Sequence, residues 1–188
     1  VKYTDKLIGK IVQKVKDLNI ANQTAIIVIA GDNGCQQDIV SIFNGYPIQG
    51  GRQDHTEIGT HVPLFIYWPG TIAPGIVNDD LIDFTDFLPT IADIAGVALP
   101  TTYGTLDGTS FYPQLIGEPG TPRDYIFCHY EPFPTIGGTQ LYRWAQNKTY
   151  KLYDTSSTKQ GGGFYNIVKD VAEKYPLPNA TLSTQEKE

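Results

Sequence analysis

Methionine is absent from this chain, cysteine occurs only twice and histidine three times. The chain opens on Val1-Lys-Tyr-Thr-Asp-Lys, with no initiator residue and no apolar core of a signal peptide. The expectation is therefore a chain that begins inside a longer protein or has lost its start, and its compartment is not indicated. No apolar run approaches the roughly 20 residues that span a bilayer as a helix. A basic excess is missing too: 14 Lys and Arg stand against 20 Asp and Glu, a net charge of −6. That balance argues against sequence-independent binding of nucleic acid, which needs a positive face. Cys35 and Cys128 form neither a CxxC pair nor a zinc-ligand cluster, and they read as one disulfide or as two buried thiols. The Asn-x-Thr/Ser sequons at Asn22, Asn147 and Asn179 carry little weight, because such triplets are common by chance.

What is present fits a folded, soluble protein: 40% of the residues are hydrophobic and 12% aromatic. Thr4–Asn19 reads as an amphipathic helix, with Leu7, Ile8, Ile11, Val12, Val15 and Leu18 on one stripe. Ala25–Ala30 is apolar throughout and suits a strand covered on both faces, as in a parallel sheet. From Gly31 to Val62 the chain is glycine-rich and polar with no clean period, so a long loop is expected there. A second strand follows at Pro63–Trp68 and a helix at Leu81–Ala95, which Pro89 should start late or kink and Gly96 should stop. Tyr125–Tyr130, Leu141–Ala145 and Thr149–Tyr153 read as antiparallel strands, and Gly161-Gly-Gly163 as a flexible break. The expected division is an α/β part over residues 1–120 and a small antiparallel α+β subdomain over 121–188.

Ligands of parallel α/β sheets bind beyond the carboxyl ends of the strands, and Ala25-Ile-Ile-Val-Ile-Ala-Gly-Asp-Asn-Gly34 ends a strand on two oxygen-bearing side chains. Asp32 and Asn33 together offer the hard oxygen donors that Ca²⁺ or Mg²⁺ prefers. A strand-ending Asx turn explains the same residues, and on the local motif alone it weighs more. The loop Gly50-Gly-Arg-Gln-Asp-His-Thr-Glu-Ile-Gly-Thr-His-Val-Pro63 then gathers Arg52, Asp54, His55, Glu57 and His61. Arg52 presents a planar donor fork suited to a sulfate or phosphate. A solvated loop of weak surface pairs is the plainer alternative, and His61 reads best as a packed histidine tied to a carbonyl.

These stretches, taken in order, resemble the type I sulfatases of the alkaline phosphatase-like superfamily. The helix Asp5-Lys-Leu-Ile-Gly-Lys-Ile-Val, the Asp-Asn-Gly strand, the glycine-rich loop into Val-Pro-Leu and Trp-Pro-Gly, and "LIDFTDFLPTIADIAGV" all have counterparts there. So do Leu106-Asp-Gly-Thr-Ser110 and the tail "FYNIVKDVAEKYPL". The resemblance implies part of an α/β/α sheet followed by a small antiparallel C-terminal subdomain. It implies Asp32 and Asn33 as calcium ligands and Arg52 as a sulfate contact, in the place of a family lysine. His61 stands where many members carry arginine, and the resemblance gives His55 and Glu57 no role.

The family's nucleophile, a formylglycine made within a Cys/Ser-x-Pro/Ala-x-Arg motif, has no counterpart here, since Cys35 precedes Gln-Gln-Asp and Cys128 precedes His-Tyr-Glu. The implied molecule is the C-terminal part of a calcium-dependent sulfatase, inactive alone, whose intact form hydrolyses a sulfate ester, with a sulfated carbohydrate as one substrate class. The family favours a periplasmic or secreted location, with neither nucleic acid nor membrane as partner, and an uncovered α/β edge would favour self-association. Two alternatives remain at this stage. A phosphatase or phosphodiesterase of the superfamily would carry Asp-His in place of Asp32-Asn33, and a non-catalytic carbohydrate- or protein-binding domain would use the 12 tyrosines.

Overall fold

A computed structural model describes residues 1–131, 141–155, 162–178 and 182–184. The sequon at Asn179 and Gly161 of the glycine triplet lie outside the described residues. The chain divides into two compact units that interleave along the sequence. One comprises Val1–Ala30, Pro63–Asp79 and Asp83–Pro122, and the other Gly31–Val62, Asp80–Ile82 and Arg123–Glu188. Residues 31–62 thus cluster with the C-terminal sheet and not with the elements beside them in sequence.

In the first unit, α1 (Lys2–Asp17) carries Asp5 in its first turn and Lys14 and Lys16 in its last, the arrangement a helix dipole favours. Asn19 leaves the helix at a left-handed φ of 56°, which ends the pattern where the sequence breaks it. No residue of α1 is buried, and Leu7, Ile11 and Leu18 of its apolar stripe are exposed. β1 (Ile26–Ile29) pairs antiparallel with β4 (Leu64–Tyr67), Ile26 facing Tyr67 and Ile29 facing Leu64. Among the described residues this ladder has two strands, and β1 is half-buried with Ile29 exposed. The expected parallel, doubly covered surroundings of β1 are thus corrected to an antiparallel partner. An unbroken apolar run reports how much of a strand's surface is greasy and not the direction of its neighbour.

The second helix begins late, as Pro89 requires. A 3₁₀ turn at Phe84–Asp86 leads into α3 (Phe87–Ala95), which places Pro89 in the first helical turn, where a missing N–H leaves no bond unmade. Asp83 accepts from the Thr85 amide at 2.9 Å, and the Asp83 amide donates to Asp86 Oδ2 at 2.8 Å. Asp86 is buried, and its Oδ1 also accepts from the Thr109 amide. Gly96 closes α3 with a φ of 64°. One helical turn on, the fully buried Thr90 donates its hydroxyl to Asp86 O at 2.7 Å and accepts from the Phe111 amide at 3.0 Å, just before α4 (Tyr112–Leu115).

In the second unit, the expected loop over 31–62 contains a hairpin, β2 (Val40–Phe43) and β3 (Tyr46–Gln49), and a one-turn helix, α2 (Glu57–Thr60). The signal was present in the sequence. Asn44-Gly45 links the strands in register Phe43 to Tyr46, with φ of 51° and 83°, the two positive values that such a turn demands. Four strands form an antiparallel sheet in chain order: β5 (Ile126–Tyr130), β6 (Tyr142–Gln146), β7 (Tyr150–Tyr153) and β8 (Phe164–Asn166). β5, β6 and β7 match the sequence expectation, and β8 is an addition to it. Gly163, expected as part of a flexible break, instead continues the pairing by accepting from the Tyr153 amide at 2.9 Å. One face buries Trp144, Tyr153 and Tyr165, joined by Ile167, with Cys128, Tyr130 and Tyr142 packed against them. Neither cysteine is in a disulfide, and Cys35 is exposed, so of the two thiols only Cys128 is part of a packed region.

Thr90 supplies the prediction. Replacing it by the isosteric valine strands the Phe111 amide and should destabilise the first unit by about 1–3 kcal/mol, measured by urea unfolding. Thr90→Ser should cost less, because the hydroxyl is kept.

Candidate functional site

The turn after β1 runs Gly31-Asp32-Asn33-Gly34, with Gly31 at a φ of 127°. Asp32 is exposed and Asn33 half-buried. Oriented for its best contacts, the Asn33 amide donates to Gly34 O at 3.1 Å and to Asp32 Oδ1 at 3.3 Å, so the two side chains sit side by side. The tie is local, within Asp32-Asn33-Gly34, and leaves two oxygen-bearing side chains at one strand end. Among the described residues no group of three or more His, Cys, Asp and Glu could hold a metal ion.

The Arg52 loop is joined to this turn through the backbone. The Gly34 amide donates to Gly59 O at 2.9 Å, and the Arg52 amide donates to Cys35 O at 2.8 Å. The Gly50 amide donates to Ile39 O at 2.8 Å, and Gln37 Nε2 reaches Arg52 O at 3.0 Å. The approach is close enough to exclude side chains. A Cβ on Gly34 would lie 2.2 Å from Ile58 O, and one on Gly59 would lie 2.2 Å from Asp54 O. The glycines at 34 and 59 are therefore demanded by contact between two backbones. The Arg52 side chain is exposed and lines a shallow groove with Gln36, Gln37, Asp38 and Gln53.

Beneath the loop lies a buried polar network. Lys151 and Glu173 are both fully buried, with Lys151 Nζ 3.0 Å from Glu173 Oε1. The ammonium also donates to His55 O at 2.6 Å and sits 4.3 Å from the centre of the Trp144 ring. Glu173 Oε1 accepts from the Glu57 amide at 2.9 Å, and Oε2 accepts from the Tyr153 hydroxyl. Gln146 Nε2 donates to Glu57 Oε2 at 3.0 Å while its Oε1 accepts from Trp144 Nε1. Burial, reinforced by the Glu173 charge, pushes the Tyr153 hydroxyl far above its ordinary value, so it serves as a donor at every accessible pH.

His55 stacks on Tyr142 with ring centres 4.0 Å apart and lies 3.3 Å from Asp54 Oδ1. The reading of His61 is corrected. It is 72% exposed, and its Nδ1 meets Glu57 Oε1 at 2.7 Å, not a backbone carbonyl. Four-residue spacing on α2 brings the two together. Donating a hydrogen bond to the Glu57 carboxylate raises the His61 pKa above its ordinary range. Burial, the largest influence on Glu57, pushes its carboxyl up, but bonds from His61 and Gln146 and nearby charges bring it below its ordinary range.

Reasoning from the sequence did not single out Lys151, Tyr153, Gln146 or Glu173. A signal existed: in β7, Lys151 shares the parity of Tyr153 on the buried face. Glu173 lies in the stretch "FYNIVKDVAEKYPL".

Residues 1–97 match the family described as Sulfatase, and residues 54–185 match N-sulphoglucosamine sulphohydrolase, C-terminal. The chain belongs to the sulfatase family. Among its sulfatase relatives, Arylsulfatase A of Homo sapiens is 34% identical over 127 residues, 66% of this chain and 24% of its own. The uncharacterized sulfatase YdeN of Escherichia coli is 36% identical over 177 residues, 92% of this chain and 27% of its own. The chain thus spans about a quarter of the length of these two sulfatases. A solved structure, BT4656 in complex with its substrate D-glucosamine-2-N,6-O-disulfate, superposes with a TM-score of 0.72 at 21% identity. That superposition covers 97% of this chain and 36% of the other and shows the sulfatase fold.

The His61–Glu57 pair generates a pH prediction. A raised His61 value means that its contribution is complete below the ordinary 6.5 and is lost as pH rises through the folded value. The lowered Glu57 value means that its share is lost only as pH falls through a point below 4.5. The second unit should therefore be most stable towards unfolding between those limits. Because His61 is exposed, the loss on moving to alkaline pH should be no more than ~1 kcal/mol. Urea unfolding on either side of the His61 transition checks this, and His61→Ala should remove the dependence.

Proposed function

We infer that this chain forms the C-terminal part of a calcium-dependent sulfatase that hydrolyses sulfate esters, with Asp32, Asn33 and Arg52 serving the reaction. The observation that carries the reading is the backbone joining of the Asp32-Asn33 turn to the Arg52 loop, in a chain of the sulfatase family. Through that joining, two residues with oxygen donors and one permanent cation belong to a single loop cluster, although about 20 positions separate them in sequence.

The donor set fits a hard divalent ion in part. A carboxylate and a carboxamide oxygen are two of the six to eight oxygens that calcium takes, and the described residues offer no larger acidic group. Asp32 and Asn33 would thus be a partial ligand set. A calcium ion bound there would supply positive charge beside the sulfuryl group and favour an ionised oxygen nucleophile.

The chain's own residues have distinct tasks in this scheme. Asp32 brings the negative charge that holds a cation, and Asn33 brings a neutral oxygen while its amide nitrogen ties it to the turn. Arg52 aims a fork of N–H donors at sulfuryl oxygens, which gain charge as the S–O bond to the leaving alcohol breaks. A lysine in that place would offer a point charge, so arginine keeps the sign of the contact and alters its shape. The groove of Gln36, Gln37, Asp38 and Gln53 beside Arg52 offers hydroxyl-matching groups, which suits a sulfated carbohydrate.

The test uses the enzyme that contains this chain, assayed for sulfate release. Asp32→Ala should lower turnover by about 100-fold or more while leaving the circular dichroism unchanged, and Arg52→Ala should lower it by about 100-fold. Near-normal turnover in either variant would remove that residue from the reaction. This chain alone should release no sulfate.

A further inference from the structure

The buried Lys151–Glu173 pair lies in the C-terminal sheet region, yet several of its hydrogen bonds end on the loop that carries Arg52. Lys151 Nζ donates to His55 O, Glu173 Oε1 accepts from the Glu57 amide, and the Tyr153 hydroxyl reaches both Glu173 Oε2 and His55 O. The backbone at 55 and at 57 is thus held by groups between 96 and 116 residues away. Glu173 adopts a φ of 51°, which non-glycine residues rarely take, and its turn is fixed by its amide donating to Asp170 O at 2.9 Å. A strained backbone that aims a buried carboxylate at a loop amide is a costly arrangement to keep for packing alone.

From His55 and Glu57 the restraint passes outward over short steps. The Thr56 amide donates to Asp54 Oδ1 at 3.2 Å, the Asp54 amide to Gly51 O at 2.8 Å, and the Gly59 amide to Thr56 O at 2.9 Å. Gly51 precedes Arg52, and Gly59 accepts the Gly34 amide that ends the Asp32-Asn33 turn. Both halves of the candidate site therefore hang on residues 51–59. That stretch is itself hung on Lys151 and Glu173.

We propose that Lys151 and Glu173 are positioning residues, a buried ion pair in the C-terminal subdomain that sets the backbone of the Arg52 loop and, through Gly59, of the Asp32-Asn33 turn. Neither side chain contacts substrate in this scheme. Specificity and turnover of the site would then respond to a C-terminal region that has no atom in it. The proposal concerns backbone placement, and only its consequence for sulfate rests on the role given above to Arg52.

Amide hydrogen exchange by NMR on the whole chain tests the placement directly. Lys151→Met keeps the length of the side chain and removes the charge. Exchange at the Arg52 and Gly34 amides should rise by about tenfold or more, while the Val28 and Phe65 amides of the β1–β4 ladder should change by less than about twofold. Glu173→Gln, which keeps an acceptor oxygen at the same place, should give a smaller rise than Glu173→Ala. Should Lys151→Met fail to fold, Tyr153→Phe, which keeps the ion pair and removes one hydroxyl, is read at the same amides with a rise of severalfold expected. Unchanged Arg52 and Gly34 exchange in a folded variant would overturn the proposal, and so would a uniform rise over both sets of amides. Binding of inorganic sulfate separates this idea from the catalytic reading. If Arg52→Ala leaves sulfate affinity unchanged, the role of Arg52 fails, while the exchange result still decides the placement.

Discussion

A lysine ammonium taken wholly out of water loses hydration worth several kcal/mol, and only a close counter-charge with further hydrogen bonds offsets that loss. Lys151 meets the requirement on every side: Glu173 supplies the charge, His55 O an acceptor, and Trp144 an aromatic face. The requirement works in reverse on the surroundings. Glu173 must be brought to the ammonium, so the tail is turned through a left-handed residue, and the 55–57 backbone must be near enough to accept and donate. Aromatic packing of Trp144, Tyr153 and Tyr165 excludes the water that would otherwise compete. In this unit, apolar burial and polar satisfaction are therefore one structure.

The glycines give the loop a complementary constraint. Where Lys151 and Glu173 hold residues 55–57 from below, Gly34 and Gly59 let two backbones close on each other without side chains between them. The result is a short path of amide-to-carbonyl bonds from the strand end to the Arg52 loop. Asp32 and Arg52 are exposed and Asn33 is half-buried, which leaves them nearly invisible in packing terms.

Legibility from the sequence varied with the kind of signal. Strongly periodic elements were readable: α1 and the first three strands of the C-terminal sheet lie within about two residues of their expected bounds, and Pro89 and Gly96 delimited α3. The hairpin around Asn44-Gly45 was also encoded locally, but Val40-Ser-Ile-Phe and Tyr-Pro-Ile-Gln49 hide it among polar and glycine-rich neighbours. The direction of the β1–β4 ladder was not encoded locally, because an all-apolar run has no alternation from which to read a face or a partner. The order of motifs carried the family, which no single motif could, and the matches over residues 1–97 and 54–185 agree with it.

By itself the sequence determined which residues carry oxygen donors and a permanent cation. Asp32, Asn33 and Arg52 are legible in that sense from residue type, since donor chemistry belongs to the side chain. Tertiary structure decided how those residues are held. The bonds from Gly34 to Gly59, from Arg52 to Cys35 and from Lys151 to His55 join positions between 17 and 96 residues apart. It also decided that His61 faces solvent beside Glu57, and that Lys151, a residue type almost always at the surface, is the centre of a core. Burial is set by everything that folds around a residue, so a charge in the sequence is unmarked until its partners arrive from elsewhere in the chain.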